Sequence, residues 1–350
     1  MMSPKPMLRG LGPAACVAVI LMILPASSDA KHANKSHEPN NEVSRNVPAV
    51  LWRDPTDITS RDLYYGPGGK EHAPHTTFTF LKEDLNGTNP KFDIRDDDGV
   101  KWRVKLGVEA RPETVATRLV WAVGYYANED YFLPDLHVEN MPRLRRGQNL
   151  VAPDGSMHNV RLKRYLKGEK KVGDWKWREN PFTRERELNG LRVLMALMNN
   201  WDLKDENNAL YEKKGSDDAS PELQYAVSDL GASFGTTGRS WTHSLSKGNL
   251  KSYRYSKFIR KVTPEYVDFN VPARPALIYV FTPKEFISRM DLWWIGKRIP
   301  RPDAKWIGGL LAQLSPSQIR DAFRAAGYSQ GEVEGFAAVV EERIAELNSL

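Results

Sequence analysis

The sequence predicts an α+β protein in two parts, a small β-rich block over residues 76–166 and a mostly helical remainder over residues 167–350. Three observations carry this expectation. Between residues 77 and 106, apolar and polar residues alternate in short runs separated by turn signals. From Phe182 onward, apolar residues recur at helical spacing instead. The chain of 350 residues, with 10 Trp, 13 Tyr and 12 Phe, also carries enough apolar surface to bury a sizeable core without cross-links.

The elements follow in order. Thr77 to Leu81 alternates as a strand, and Leu85-Asn86-Gly87-Thr88-Asn89-Pro90 reads as a turn. Lys91 to Arg95 is a second strand, Asp96-Asp97-Asp98-Gly99 a tight turn, and Val100 to Leu106 a third strand. Strand side chains alternate in direction, so Val100, Trp102, Val104 and Leu106 share one face while Lys101, Arg103 and Lys105 share the other. A helix follows, with Pro112 in its first turn, where the missing N–H costs nothing, and Gly124 at its end. Tyr131 to Val138 and Asn159 to Leu166 are two more strands, with a basic loop from Arg143 to Gly147 between them. Leu188 to Met198 is apolar on most sides and predicts a buried helix. Leu210-Tyr211 and Tyr225 to Val227 read as short strands around a polar loop. Ser315 and Ser329 cap two C-terminal helices. No internal repeat is present.

The first 30 residues read as a signal peptide. Lys5 and Arg9 precede an apolar run from Leu11 to Leu24. Pro25 ends the run, and Ser28-Asp29-Ala30 supplies small residues before a cut. The run is short and interrupted by Gly and Pro, so no stable membrane span is expected after cleavage, and the product is expected to be secreted or periplasmic. Cys16 is the single cysteine and leaves with the signal, so a mature chain of roughly 320 residues makes no disulfide. Residues 31–75 form a flexible leader and N-terminal extension. The formal charge of +6 is spread along the chain, and no nucleic-acid partner is expected. His72 and His75 have ligand-like spacing, but the segment reads as a solvated loop.

Asp202-Leu203-Lys204-Asp205-Glu206-Asn207, followed by two short strands and Asp229-Leu230-Gly231, resembles the catalytic and metal-binding loops of the protein-kinase-like superfamily. The likeness extends coarsely over residues 76–235 and is nearest to a divergent secreted or lipid-kinase-like branch. It implies a bilobal protein-kinase-like fold with a small β-rich N-lobe and a mostly helical C-lobe. It further implies Mg²⁺- or Mn²⁺-dependent transfer of a phosphoryl group from ATP to an unknown hydroxyl-bearing acceptor. In that likeness Asp202 accepts the acceptor's proton and Lys204 neutralises the transferred group. Asn207 and Asp229 hold the metal, with Asn208 a rival for Asn207. Lys105 clamps the phosphates, oriented by Glu113 or by Glu109. The turn containing Gly87 and Thr88 covers the phosphates. Asn200-Trp201 stands where the superfamily places His or Arg before the aspartate, and Arg103 stands where it places a small residue.

Two other readings compete. A kinase-like secreted binding protein without catalysis would keep the same fold, and nucleotidyl transfer would use the same carboxylates. Gly231-Ala232-Ser233-Phe234-Gly235 also fits a nucleophile elbow, but the following histidine, His243, comes with no acid between them, against the order a serine hydrolase needs.

Overall fold

The computed structural model describes residues 47–86, 89–214, 220–236, 246–271 and 292–350. The expected signal peptide, the leader up to residue 46, Gly87, Thr88 and His243 lie outside the described residues. Among the described residues no helix is long and apolar enough to cross a membrane.

The chain enters through a two-residue strand, β1 (Ala49–Val50), and then builds β2 (Phe78–Asp84), β3 (Lys91–Asp96) and β4 (Lys101–Lys105). Helix α1 (Ala110–Ala122) follows, then β5 (Asp130–His137) and β6 (Ser156–Arg164). β2 to β6 form a five-stranded antiparallel sheet in the order β2-β3-β4-β6-β5. The alternation read from β4 extends to its neighbours β3 and β6, while β2 is interrupted by a register shift between Phe80 and Lys82. Phe92, Ile94, Trp102, Val104, Val160 and Leu162 point to one face and are at most 1% exposed. Burying each such side chain stabilises by about 1.5–3 kcal/mol. The opposite face carries Lys91, Asp93, Arg103, Lys105, Asp130, Arg161 and Lys163, placed together by the register.

The remainder contains β7 (Glu169–Gly173), α2 (Arg186–Leu197), β8 (Asn208–Lys213) and β9 (Glu222–Val227). β1, β9, β8 and β7 make a four-stranded sheet in that order, with β1 parallel to β9. After the short helix α3 (Leu250–Arg254), strands β10 (Ile259–Val262), β11 (Tyr266–Phe269) and β12 (Ile299–Pro300) form a third sheet. Three helices close the chain, α4 (Arg301–Leu311), α5 (Pro316–Ala325) and α6 (Gln330–Asn348). Ser315 and Ser329 cap α5 and α6 as expected, each in a reciprocal capping box, with Gln318 and with Glu332. Sequence reading missed β7 and the third sheet. β7 is an edge strand rich in exposed lysine, so it shows no apolar alternation, and in the third sheet the short strand β12 pairs with β11 across a long separation.

Among the described residues two large apolar cores result, beside a small cluster of Ala209, Tyr211 and Ala226. The five-stranded sheet packs its own core, while a larger core collects α2, the C-terminal helices and β9. α1 belongs to the larger one through Val115, Ala116, Leu119 and Val120. Residues 47–75 wrap the C-terminal end of α1. Leu51, Ile58 and Leu63 enter the larger core, Trp52 Nε1 donates to the Val123 carbonyl at 2.7 Å, and Arg61 donates to the Trp121 carbonyl. Gln318 of α5 donates to the carbonyls of Ile58 and Arg61 at 2.8 and 2.9 Å. His72 and His75 gain acidic partners from remote segments. His72 Nδ1 lies 2.9 Å from Glu129, and His75 Nε2 lies 3.1 Å from Asp98.

Within α2, a Cβ on Gly190 would stand 2.6 Å from both the Trp306 ring and the Tyr125 hydroxyl, whereas one on Gly309 of α4 meets nothing within 4 Å. Gly190→Ala should therefore destabilise by about 1–3 kcal/mol through overpacking. Gly309→Ala should stabilise by about 0.5–1 kcal/mol through helix propensity. Denaturant midpoints of the two variants check this, and equal shifts of the same sign would contradict the packing described.

Candidate active site

Lys105 ends β4 on the charged face of the sheet, with Lys91 and Arg161 directly across on the flanking strands. Its residue is 5% exposed, which a lysine tolerates only with charged partners. Three carboxylates supply them. The ammonium lies 2.8 Å from Glu113, 3.0 Å from Glu109 and 3.0 Å from Asp229. Glu109 and Glu113 are four residues apart at the start of α1 and so share one face of the helix. Burial alone would lower the Lys105 pKa, but Asp229, Glu113 and Glu109 outweigh it and hold the group well above its usual 10.5.

Glu113 is fully buried and also accepts from Arg161 at 2.8 Å. Burial pushes its carboxyl up, against the pull of Arg161 and Lys105. Arg161 in turn lies 3.4 Å from the fully buried Asp130, beyond which stands the buried Arg118. Burial depresses Arg118 to about 10, partly offset by the charge of Asp130. The charges thus alternate from Arg118 through Asp130, Arg161, Glu113 and Lys105 to Asp229. Glu109 has the most partners of the three carboxylates around Lys105. Besides Lys105 it accepts from Asn89 at 2.5 Å and pairs with Lys247.

The loop after α2 is set by its polar residues. The backbone turns at Asn199, which has a φ of 54°. The Asn199 amide donates to the Gly235 carbonyl at 2.7 Å and its oxygen accepts from Arg343 at 2.9 Å. The same buried guanidinium binds the Leu197 carbonyl at 2.6 Å, satisfying the C-terminus of α2. Asn200 accepts from the Asp202 backbone at 3.0 Å, and the Lys204 ammonium lies 3.7 Å from the Asp202 carboxylate. Asn207 ends a 3₁₀ turn and donates its amide nitrogen to the Asp202 carbonyl at 2.5 Å, so its amide oxygen is the atom that could serve as a ligand. Its rival Asn208 is 1% exposed and donates to the Trp175 carbonyl at 2.9 Å, inside the large part of the fold.

Asp229 is brought to the same place by backbone pairing. The N–H groups of Ser228 and Asp229 both donate to the Asn207 carbonyl, at 2.9 and 3.1 Å. Gly231 is required by close approach, because a Cβ there would lie 2.6 Å from the Glu109 side chain. Oxygens of Glu109, Glu113 and Asp229 lie within 4.8 Å of one another. The Lys105 ammonium already stands among them. The half-exposed Asp229, whose side chain is 40% exposed, with Asn207 beside it, is the pair of hard oxygen donors that suits Mg²⁺ or Mn²⁺.

Of the residues singled out from sequence, Lys105, Glu113, Glu109 and Asp229 form one cage. Asp202, Lys204 and Asn207 form the adjoining loop. Gly87 and Thr88 lie outside the described residues, and the side chain of Asn89 donates to Glu109 of the cage. Ser233 is fully buried, which removes the exposure that a nucleophile elbow needs. Arg161, Asp130 and Lys247 escaped the sequence reading, and Asn89 reads there only as part of the turn from Asn86 to Pro90. Arg161 becomes visible only once β4 and β6 are in register, and Lys247 sits in no motif.

The cage makes stability pH-dependent in a defined direction. Burial raises the Glu109 carboxyl's pKa, but the ammonium groups of Lys105 and Lys247 outweigh it and hold the group below its usual 4.5. A carboxyl lowered in the folded state contributes fully above that value and loses its contribution as pH falls toward the folded value. Thermal unfolding between about pH 5 and 3 should therefore show a shallower loss of stability for Glu109→Gln than for the parent, by up to about 1.4 kcal/mol per pH unit. Identical slopes would show that the cage does not lower the Glu109 pKa below its unfolded value.

No protein-family model matches the chain, and no curated protein does. In fold it is similar to solved kinases. One is a Helicobacter pylori proinflammatory kinase, CtkA, 11% identical, with 77% of this chain and 96% of that chain covered at a TM-score of 0.44. Another is the Golgi casein kinase, 10% identical, with 79% of this chain and 73% of that chain covered at a TM-score of 0.34. The same enzyme with Mn and ADP bound is similar at 11% identity, covering 79% and 72% at a TM-score of 0.34.

Proposed function

We propose that this chain is a kinase-like phosphotransferase that uses ATP with Mg²⁺ or Mn²⁺ and acts outside the cytoplasm on a hydroxyl-bearing acceptor. One observation carries the reading. A buried lysine is held by a helix glutamate and by the aspartate of Asp229-Leu230-Gly231, beside a loop that presents Asp202 and Asn207. Phosphoryl transfer asks for positioning and charge stabilisation more than for covalent help, and that set supplies both. Export rests on the apolar run and small residues of the first 30 positions.

In this reading Asp202, held by the Asn200 side chain, accepts the proton of the acceptor hydroxyl as its oxygen bonds to the terminal phosphorus and ADP leaves. A positioned base of this kind contributes on the order of 100- to 10,000-fold. Lys105 neutralises the phosphates, and Glu113 and Glu109 hold it there. Asn207 and Asp229 would hold the divalent cation, which supplies Lewis-acid neutralisation of phosphate charge when bound. Lys204 keeps Asp202 company at the loop's open edge.

Thermal unfolding with and without ATP and a divalent cation tests the reading. A ligand at 100 times its Kd adds about 2.7 kcal/mol, a visible rise in midpoint. The rise should require Mg²⁺ or Mn²⁺ and vanish in Asp229→Ala. Absence of any rise at millimolar ATP with either cation would leave a kinase-like binding protein without nucleotide chemistry.

A further inference from the structure

Lys247 stands in a place that no motif foresees. It belongs to the segment that returns against Asp229-Leu230-Gly231 and its continuation. The Gly248 N–H donates to the Ser233 carbonyl at 2.8 Å and the Asn249 N–H to the Phe234 carbonyl at 2.8 Å. The Trp201 indole donates to the Ser246 carbonyl at 3.0 Å. These bonds fix the backbone on both sides of Lys247. Its side chain is 9% exposed, and its ammonium pairs with one oxygen of Glu109 while Lys105 and Asn89 take the other. The same ammonium lies 5.5 Å from the centre of the Trp201 ring, and Trp201 immediately precedes Asp202.

One carboxylate therefore gathers two ammonium groups from opposite directions, Lys105 from the sheet and Lys247 from the loop. An oxygen of that carboxylate lies within 4.8 Å of one on Asp229. A lysine side chain is long and rotatable, so Lys247 can leave Glu109 for a stronger anion in the same place without moving its backbone. Lys204, which the kinase resemblance casts as the neutralising cation, is by contrast 35% exposed and turned toward Asp202.

Resting on the phosphotransferase reading, we infer that Lys247 is a second phosphate-contacting lysine, which binds the terminal phosphoryl group of the nucleotide and neutralises it during transfer. Lys105 then serves the inner phosphates. The inference adds one contact that ATP makes and ADP does not.

Binding of Mg²⁺·ADP and of Mg²⁺ with a non-hydrolysable ATP analogue should be compared by thermal shift in the full chain, Lys247→Met and Lys247→Arg. Lys247→Met should weaken the ATP analogue by about 10- to 100-fold while leaving ADP within about threefold, as loss of one charge-assisted hydrogen bond predicts. Lys247→Arg should restore most of the difference. Lys247→Gln, which still donates to Glu109, repeats the comparison in a variant that keeps the local packing. Equal weakening of both nucleotides, or of neither, would overturn the inference and leave Lys247 a structural partner of Glu109. A parent protein that binds neither nucleotide would instead overturn the phosphotransferase reading, and the role of Lys247 with it.

Discussion

The ion cage around Lys105 is the constraint on which the rest of this structure depends. Desolvating a lysine and two glutamates costs several kcal/mol per ion unless every charge meets its opposite at contact distance. Here each does. Lys105 touches three carboxylates, Glu113 answers to Arg161, and Glu109 answers to Lys247. Removing one member of such a set leaves a buried unpaired charge, a loss of about 3–5 kcal/mol. The cage therefore fixes the register of β4 on β6, the start of α1 and the position of Asp229 together.

The surrounding packing is arranged to keep those partners in place. α1 takes its apolar residues into the larger core, and residues 47–75 tie its C-terminal end to α5. Its N-terminal end is tied by the two glutamates. Asp229 is tied through the Asn207 carbonyl and through Asn128, which donates to the Ser228 carbonyl at 3.0 Å. Arg343, far along the chain on α6, anchors the loop that carries Asp202. Four elements distant in sequence thus meet at one small volume, and none of them is at liberty to adjust alone.

Much of this was legible in the sequence wherever the signal is local. The period-two alternation of Lys101 to Lys105 placed Lys105 opposite Trp102 and Val104, and that assignment extends to β3 and β6. Pro112 sits in the first turn of α1 because its missing N–H costs nothing there, and the caps at Ser315 and Ser329 follow from short-range hydrogen bonding. The clustering of Lys105, Glu113, Asp202, Asn207 and Asp229 followed from a resemblance in their order, not from local physics. What escaped depends on tertiary register. Arg161 reads as one basic strand residue among several until β6 is laid beside β4. The acidic partners of His72 and His75 come from the residue just before β5 and from the β3–β4 turn. β7 hides because an edge strand with solvent on both sides of its lysines has no alternation to show.

The membership of α1 in the larger core has a mechanical consequence. In most pictures of a cleft the helix beside the sheet travels with the sheet. Here Glu109, Glu113 and Asp229 are fixed on the helical side, while Lys105 and Arg161 ride on the strands. Where the two sides meet, Glu109, Glu113 and Asp229 face Lys105 and Arg161, so opening the contact does electrical work. That work is greatest while the gap stays dry, and water entering it screens the charges and lowers the cost of separation.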